Sequence, residues 1–260
     1  MRAISIAKFE EGVTNEDAAI ARKDVIAVSD GAGGGGVFAD CWSRYLVDCL
    51  PDKPIKNYKA FDKWIDGIWE PFYNEYEEKA KSIGGMLLNK FYDEGSFATL
   101  VVVWKGGQWV SYGDSVAFCY NKKTGDLQHT FTRLSDFNNP PYLINCKDPL
   151  NEKGFRSGKF KMTKDCVIFA ASDTLAHYIL MMYETAHIDQ YMDELQAAIN
   201  AQTKNSNFVK TAMRLRKRDF AKEVIRKLEN CKHPNLLISH IERLKRWGLI
   251  GHDDYSIAIL

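Results

Sequence analysis

The chain has 260 residues and a formal net charge of +1, with 45% hydrophobic and 27% charged residues. This composition is ordinary for a globular protein, so it argues against disorder, fibrous repeats and any overall attraction to nucleic acid or membranes. No apolar run approaches the roughly 20 residues of a membrane helix, and charge interrupts the N-terminus before a signal-peptide core could form. We therefore expect a cytoplasmic protein with no membrane or nucleic-acid partner.

The first third of the chain mixes short strands with helices. Strands are predicted from their β-branched or alternating patterns at residues 4–7, 18–21 and 25–29. A glycine-rich loop covers residues 31–36. Amphipathic helices are predicted at residues 38–47 and 58–83, where the large apolar side chains fall on one face.

The middle third changes to a period of two. Strands are predicted at residues 96–104, 109–113, 116–120 and 127–131. Because short turns join these strands, we expect them to form a meander of antiparallel neighbours. Residues 133–160 carry prolines, asparagines and glycines, and they are predicted to form a long, flap-like loop.

The last third is mainly helical. A buried strand at 166–171 precedes an enlarged helical segment at 176–250, and a strand at 253–260 closes the chain. No linker rich in Pro, Ser or Gly separates the two ends. Residues 1–260 are therefore predicted to form a single α+β domain.

Aspartates recur where apolar strands end. They stand at Asp30, Asp114, Asp173 and Asp253, and Glu16 and Asp17 precede the strand at 18–21. One aspartate beside Gly or Ser usually forms a turn, but recurrence at four strand ends favours a common role. Hard cations such as Mg²⁺ and Mn²⁺ prefer carboxylate oxygens, and strand ends give those ligands rigid placement. The pattern predicts a divalent-cation centre.

The ordered motifs resemble those of the metal-dependent protein phosphatases of the 2C type (the PPM family), as in a divergent, bacterial-like member. They are Asn15-Glu16-Asp17, Val28-Ser29-Asp30-Gly31-Ala32-Gly33-Gly34, Gly95-Ser96-Phe97-Ala98-Thr99, Gly113-Asp114-Ser115, Ala171-Ser172-Asp173 and Asp253-Asp254-Tyr255-Ser256. Each motif is short, and their shared order makes the resemblance specific. It implies an α-β-β-α sandwich, in which two antiparallel sheets are flanked by helices and a metal cleft lies at one edge.

The resemblance also implies an activity. The chain would hydrolyse phosphoserine and phosphothreonine esters of a phosphorylated protein, opposing a cognate Ser/Thr kinase. Asp30, Asp173 and Asp253 would be the catalytic metal ligands, with Asp30 bridging two Mn²⁺ or Mg²⁺ ions and Gly31 offering its carbonyl oxygen. Two such cations activate water near neutral pH and neutralise phosphoryl charge, so no Cys or Ser nucleophile is expected.

The resemblance also implies roles for further residues, and some positions depart from the family pattern. Glu16 and Asp17 would hold metal-bound waters, and Asp114 would help to bind a third, weaker cation. Four residues depart from the family pattern, namely Gly12 for a phosphate-gripping arginine, Ala32 for a histidine proton donor, Val116 for an arginine and Thr174 for a glycine. The metal ligands remain, so we expect an active enzyme that binds small phosphate esters weakly. A catalytically weak pseudophosphatase that only binds partners stays open.

Nearby cations could replace the arginine missing at Gly12, and Lys8 and Arg22 are the nearest in sequence. Contacts with remote parts of a protein substrate could compensate as well. The 133–160 loop and the basic run between Lys204 and Arg246 are the candidates for those contacts. The basic run is otherwise interpreted as a solvated helical face, with Glu223, Glu229 and Glu242 as helix partners of its cations.

A second class of function rests on the glycines. Gly31-x-Gly33-x-x-Gly36 follows a strand and precedes a helix, which formally matches the fingerprint of a nicotinamide-dependent oxidoreductase. That fold requires a second parallel strand about 20 residues later, whereas a second helix is predicted here.

Two further residue types are less informative. The six cysteines show no C-x-x-C pair and are expected to be reduced thiols rather than zinc ligands. His252 stands beside Asp253 and is equally compatible with a proton shuttle and with a bystander.

Overall fold

The computed structural model describes residues 1–215 and 219–260. Its strands are β1 (Arg2–Ile6), β2 (Ala18–Arg22), β3 (Val25–Ser29), β4 (Phe97–Ala98), β5 (Leu100–Trp104), β6 (Gln108–Tyr112), β7 (Val116–Asn121), β8 (Leu127–His129), β9 (Ile144–Asn145), β10 (Phe155–Lys159), β11 (Cys166–Ala171) and β12 (Tyr255–Ile259). One five-stranded sheet has the order β1-β12-β11-β7-β8, and the other has the order β10-β6-β5-β3-β2. β4 and β9 form a separate small ladder.

The helices flank these sheets. They are α1 (Ala39–Asp48), α2 (Tyr58–Asp66), α3 (Trp69–Ile83), α4 (Gly85–Glu94), α5 (Asp173–Ala186), α6 (Ile188–Asn200), α7 (Lys204–Arg214), α8 (Arg226–Asn230) and α9 (Pro234–Arg246). A π-helical turn at Ala221–Ile225 leads into α8, and short 3₁₀ turns occur at Leu134–Asn138 and Glu152–Gly154. Within the described residues, no helix is long and apolar enough to cross a membrane.

Alternating side chains on each strand divide the core into layers. In β5, Val101 and Val103 pack between the two sheets, whereas Val102 and Trp104 face the core shared with α1–α4. The facing side of the other sheet carries small residues, Ala117, Cys119, Ala170 and Ala258. Its outer side packs against the C-terminal helices. The order of helices, sheet, sheet and helices is the α-β-β-α sandwich that was predicted.

Three predicted elements are wrong in detail. The helix expected at 58–83 is broken after Asp66 into α2 and α3, and α4 was not predicted. The strand expected at 96–104 is interrupted at Thr99. The loop expected at 133–160 contains β10, which pairs antiparallel with β6 and forms an edge of its sheet.

The predicted meander is divided between the two sheets. β5 pairs with β6, and β7 pairs with β8, but β6 and β7 lie in different sheets. The chain crosses at Gly113–Ser115, where Gly113 has a φ of +94°. A Cβ at Gly113 would lie 2.7 Å from the Thr99 side chain, so glycine is required at this crossing.

The pairing of the strands around the glycine-rich loop does not fit a dinucleotide-binding site. β3 is followed by α1, but the later strand that pairs with it, β5, is antiparallel. Every strand pair of the described residues is antiparallel, so the βαβ unit that binds a dinucleotide is not formed there. The cysteines are free, as expected.

Candidate metal centre

Strand register brings Asp30 beside Glu16 and Asp17. Ser29, at the end of β3, pairs with Ala18, at the start of β2. The residue after one strand therefore lies next to the residue before the other. Gly31 extends this contact, because its N–H donates to the Glu16 carbonyl at 3.1 Å.

The other sheet brings three acidic positions to its own edge in the same way. Ala171, near the end of β11, pairs with Val116 at the start of β7 and with Ile257 in β12. Asp114 and Asp253 precede β7 and β12, and Asp173 follows β11. The charges of Asp17, Asp173, Asp114 and Asp253 all act on Asp30, so the two edges meet in one cluster.

Asp30 is held rigidly by Thr99, the residue that interrupts the predicted strand. The Asp30 N–H donates to Thr99 Oγ1 at 3.2 Å, and the Asp30 carbonyl accepts from the Thr99 N–H at 2.8 Å. Thr99 Oγ1 in turn lies 2.7 Å from Ser115 Oγ. This chain of hydrogen bonds ties the end of β3 to the crossing that carries Asp114.

Asp173 and Asp253 share a partner in Thr174. The N–H of Thr174 donates to the Asp173 carboxylate, and its hydroxyl donates to Asp253 Oδ2 at 3.4 Å. Asp253 Oδ1 also accepts from the Asp254 N–H at 2.9 Å. The threonine that replaces the family's glycine therefore links two of the predicted ligands.

Asp254 is a supporting residue that the sequence analysis missed. Its carboxylate is buried and accepts from the backbone N–H groups of Lys8 and Glu16, at 2.7 and 2.6 Å. It thereby fastens the segment before β2 to the start of β12. The acidic pair Asp253-Asp254 was visible in the sequence, but only the first member was interpreted as functional.

Two glycines of the 31–36 loop are needed for close packing. A Cβ on Gly31 would lie 2.6 Å from the backbone oxygens of Ala39 and Glu16, and a Cβ on Gly33 would overlap the Glu16 carboxylate. The loop therefore keeps Glu16 and Asp30 close together. This role explains the glycines without a nucleotide.

The acidic cluster is electrostatically strained. Burial raises the pKa of Asp30 well above its ordinary value, and the neighbouring aspartate charges raise it further. Burial, followed by the charge of Asp173, raises the pKa of Asp114 to about 8. Burial, followed by the charge of Asp253, raises the pKa of Asp173 to about 6. The positive charges of Arg156, which acts on Asp114, and of Lys8, which acts on Asp253, offset these effects only in part.

The donor chemistry fits hard divalent cations. All the gathered side chains offer carboxylate oxygen, and Asp17 Oδ2 is buried without a hydrogen-bond partner among the described residues. Across residues 1–215 and 219–260, no group of three or more His, Cys, Asp or Glu side chains is arranged so that it could hold a metal ion as it stands.

The cations expected to replace the arginine missing at Gly12 have other contacts. Lys8 lies 3.8 Å from the Glu16 carboxylate, and Arg22 donates to the Asp48 carbonyl at 2.8 Å, at the end of α1. Gly12 itself is exposed, with a φ of +76°. Lys8 is therefore the nearer of the two candidates to the cluster.

His252 has partners outside the cluster. Its Nε2 lies 2.7 Å from Glu10 Oε1, and its Nδ1 lies 2.5 Å from Lys245 Nζ. The ring is partly exposed. Because both ring nitrogens have these partners, the geometry favours the bystander interpretation of His252.

Arg156 is a second residue that the sequence analysis missed. It lies on β10, within the segment expected to be a loop, and its Nη2 donates to the Gly113 carbonyl at 2.5 Å. Its positive charge acts on Asp114. The strand pattern of Phe155–Lys159 is broken by Ser157 and Gly158, so no sequence signal indicated that Arg156 would reach the centre.

The basic run between Lys204 and Arg246 is only partly described. Arg216, Lys217 and Arg218 lie outside the described residues, whereas Lys210, Arg214 and Arg226 are exposed. Glu229 forms its ion pair with Lys122, at 2.6 Å, rather than with a cation of its own helix.

Comparison of the sequence with family models and with curated proteins gives no match. The fold, however, is similar to solved phosphatases. The catalytic domain of the serine/threonine protein phosphatase PstP, in complex with two manganese ions, matches with a TM-score of 0.54 and 14% identity, over 99% of this chain and 95% of that chain.

Two mycobacterial structures give similar values. PstP/Ppp of Mycobacterium tuberculosis matches at a TM-score of 0.51 and 13% identity, over 99% of this chain and 96% of that chain. The PPM Ser-Thr phosphatase MsPP of Mycobacterium smegmatis, in complex with cacodylate, matches at 0.50 and 13%, over 100% and 97%. The resemblance predicted from the six motifs is thus confirmed at the level of the fold, and the chain has the α-β-β-α fold of the PPM Ser/Thr phosphatases.

Proposed function

We propose that the protein is a metal-dependent phosphoprotein phosphatase that hydrolyses phosphoserine and phosphothreonine esters. The observation that carries the proposal is the cluster of Asp17, Asp30, Asp114, Asp173 and Asp253 at one edge of this fold, in which Asp17 is buried and the other four are half-buried. Burial and mutual repulsion raise the pKa of Asp30 in the cluster, and bound divalent cations would relieve both effects. A site built only for protein stability would not concentrate unpaired carboxylates in this way.

In this proposal Asp30, Asp173 and Asp253 hold Mn²⁺ or Mg²⁺, with the carbonyl of Gly31. Glu16 and Asp17 orient bound waters, and Asp114 serves a further cation. Two divalent cations supply an activated water and neutralise charge on the phosphoryl oxygens when bound. The similar PstP structure contains two manganese ions, which supports the proposal of a two-cation centre.

The protein's own part is to fix the carboxylates. Thr99 holds the backbone of Asp30, and Thr174 links Asp173 with Asp253. Asp254 holds Glu16 in place through its backbone N–H. Because these hydrogen bonds hold the carboxylates in place, the charged groups of the site are preorganised before the substrate binds.

The leading substrate is a phosphorylated protein, and a Ser/Thr kinase would supply it. The similar solved structures are Ser/Thr phosphatases, which supports this choice of substrate class. A small phosphate ester offers the site little besides its phosphoryl group, and Gly12 provides no guanidinium to grip it. We therefore expect a higher KM for aryl phosphates than for phosphopeptides.

The test is phosphate release from a phosphoserine peptide with Mn²⁺, with Mg²⁺ and with excess chelator. We expect turnover with either cation, none with chelator, and recovery when the metal is restored. Turnover that persists in chelator would contradict the proposal.

A pseudophosphatase is the second candidate, and the exposed, side-chain-free Gly12 is the observation that favours it. The same assay separates the two functions. A pseudophosphatase would bind Mn²⁺ and the phosphopeptide but release no phosphate, as calorimetry and the phosphate assay would show together.

A further inference from the structure

A cavity of about 210 Å³ opens beside Asp114, between the 133–160 segment and the connection from β6 to β7. It is lined by Gly113, Asp114, Phe131, Thr132, Asp136, Pro141, Lys153 and Arg156, among others. One liquid water occupies roughly 30 Å³, so a side-chain-sized group fits here. The proposed reaction uses only Asp114 of these residues.

Arg156 is fixed in the wall of this cavity. Its guanidinium donates to the Gly113 carbonyl at 2.5 Å and to Thr132 Oγ1 at 3.2 Å. Its Cζ lies 5.0 Å from the centre of the Phe131 ring. These contacts hold the planar group in one orientation, which preorganises its remaining N–H donors for a ligand.

Within the described part of the chain, the guanidinium of Arg156 has no ion-pair partner. Among residues 1–215 and 219–260, no carboxylate lies within 4.0 Å of it, and Asp136 on the same wall pairs with Arg133 at 3.3 Å instead. Burial lowers the pKa of Arg156, which means that desolvation of its charge is not offset by the more distant Asp114 and Asp136. Arg156 is half-buried, and charged groups that are partly removed from water are normally paired, so the cavity is suited to bind an anion.

The position of the cavity relates it to the acidic cluster. Asp114 belongs to both, so a ligand could span from one to the other. Arg156 acts on Asp114 and Asp136, whereas Lys8 is the cation that acts on Glu16 and Asp253. The guanidinium therefore stands to one side of the ligands proposed for the metals, where a neighbouring part of the substrate would lie.

We propose that this cavity is a subsite for an anionic group that flanks the phosphorylated residue of the substrate, with Arg156 as its specificity-determining residue and the exposed Lys153 at its mouth. The inference rests on the phosphatase function proposed above and deepens it. The anion is either an acidic side chain or a second phosphate, since both accept from a guanidinium in the same way.

The test uses three peptides of the same length, in which the phosphoserine is flanked by alanine, by aspartate or by a second phosphoserine. For each, kcat/KM is measured with wild type, Arg156→Gln and Lys159→Gln. Lys159 is the matched control, because it lies on the same strand, is exposed and does not line the cavity. Both substitutions remove one positive charge, so a general charge effect would appear in both.

We expect wild type to favour an anionic flank over the alanine flank by about tenfold, as one charge-assisted hydrogen-bond pair provides. Arg156→Gln should bring that ratio close to one, whereas Lys159→Gln should keep it. The aspartate and diphosphorylated peptides identify which anion is preferred. No preference in wild type, or an equal loss on all three peptides in Arg156→Gln, would overturn the inference.

Measuring peptide binding without turnover tests the subsite independently of the proposed phosphatase activity. Fluorescence anisotropy of the labelled peptides in chelator measures the same ratio without turnover, so it remains valid if no phosphate is released. If circular dichroism shows that Arg156→Gln does not fold, Lys153→Gln replaces it, with an expected loss of about threefold because its ammonium is exposed. An unchanged binding ratio in the folded variant would refute the subsite.

Discussion

Replacing Asp30 with asparagine should have opposite effects on the protein without and with metal. Asp30 is half-buried, and desolvation together with the charges of Asp17, Asp173, Asp114 and Asp253 opposes the ionisation of its carboxyl group. Asparagine keeps the shape and removes one charge of the cluster. The metal-free Asp30→Asn variant should therefore be at least as stable as metal-free wild type at pH 8.

Added Mn²⁺ should reverse that order. A ligand present at one hundred times its Kd stabilises the folded state by about 2.7 kcal/mol. For a chain of this size, each kcal/mol raises Tm by about 2–4 °C, so wild type should gain about 5–10 °C. Asp30→Asn should gain much less, because it lacks one of the carboxylates that would hold the cations.

Differential scanning calorimetry of both proteins, in chelator and in Mn²⁺, gives the four Tm values. Asp193→Asn, which changes an exposed aspartate of α6, is the control for a general loss of charge. The reasoning would be refuted if metal-free Asp30→Asn were several degrees less stable than wild type while its Mn²⁺ shift remained intact. That result would assign Asp30 to the fold rather than to a cation.

Three further predictions concern other parts of the molecule. Gly12→Arg should lower the free energy of unfolding by about 1–2 kcal/mol, because φ is +76° there. A folded Gly12→Arg variant should also lower the KM for aryl phosphate, because it supplies the missing guanidinium, and an unchanged KM would contradict this. Asp254→Ala should cost about 2 kcal/mol or more in urea unfolding, since the N–H groups of Lys8 and Glu16 lose their acceptor, and an unaltered midpoint would argue against that role. Glu184→Gln should stabilise the protein increasingly as pH rises. Burial, then the charge of Glu194, raises the pKa of Glu184 to about 8. Between the pKa of this group in the unfolded state and pH 8, it therefore lowers the free energy of unfolding of wild type by about 1.4 kcal/mol per pH unit, and above pH 8 it lowers it no further. Urea unfolding at pH 6, 7, 8 and 9 checks this, and a difference between the proteins that is independent of pH would contradict it.

The buried strands of the two sheets could be predicted from the sequence, because their apolar pattern is local. Val25–Ser29 and Cys166–Ala171 are found with the predicted bounds, since unbroken apolar runs are typical of strands buried on both faces. The crossing at Gly113–Ser115 could not be predicted in this way. Its turn is as short as a hairpin turn, and only packing between the two sheets decides that the chain changes sheet.

The candidate site was predictable to a similar extent. Aspartates at strand ends were evident in the sequence, and antiparallel register brings them together. Arg156 was not predictable, because its strand is exposed and interrupted by Gly158, and its edge position depends on pairing with β6. Asp254 was overlooked because a buried carboxylate that accepts backbone N–H groups has the same sequence signature as a turn former.

Metal-dependent phosphate hydrolysis by the acidic cluster is the proposed function that most needs a direct test. It is tested most directly by Mn²⁺-dependent phosphate release from one phosphoserine peptide, measured side by side for wild type, Asp173→Asn and Asp193→Asn. Asp173 lies in the cluster, whereas Asp193 is exposed on α6. We predict turnover by wild type and Asp193→Asn, abolished by chelator, and at least a hundredfold loss in a folded Asp173→Asn, in line with the roughly 10–100-fold effect of even a partner of a metal ligand. Turnover by Asp173→Asn equal to that of wild type would contradict the claim.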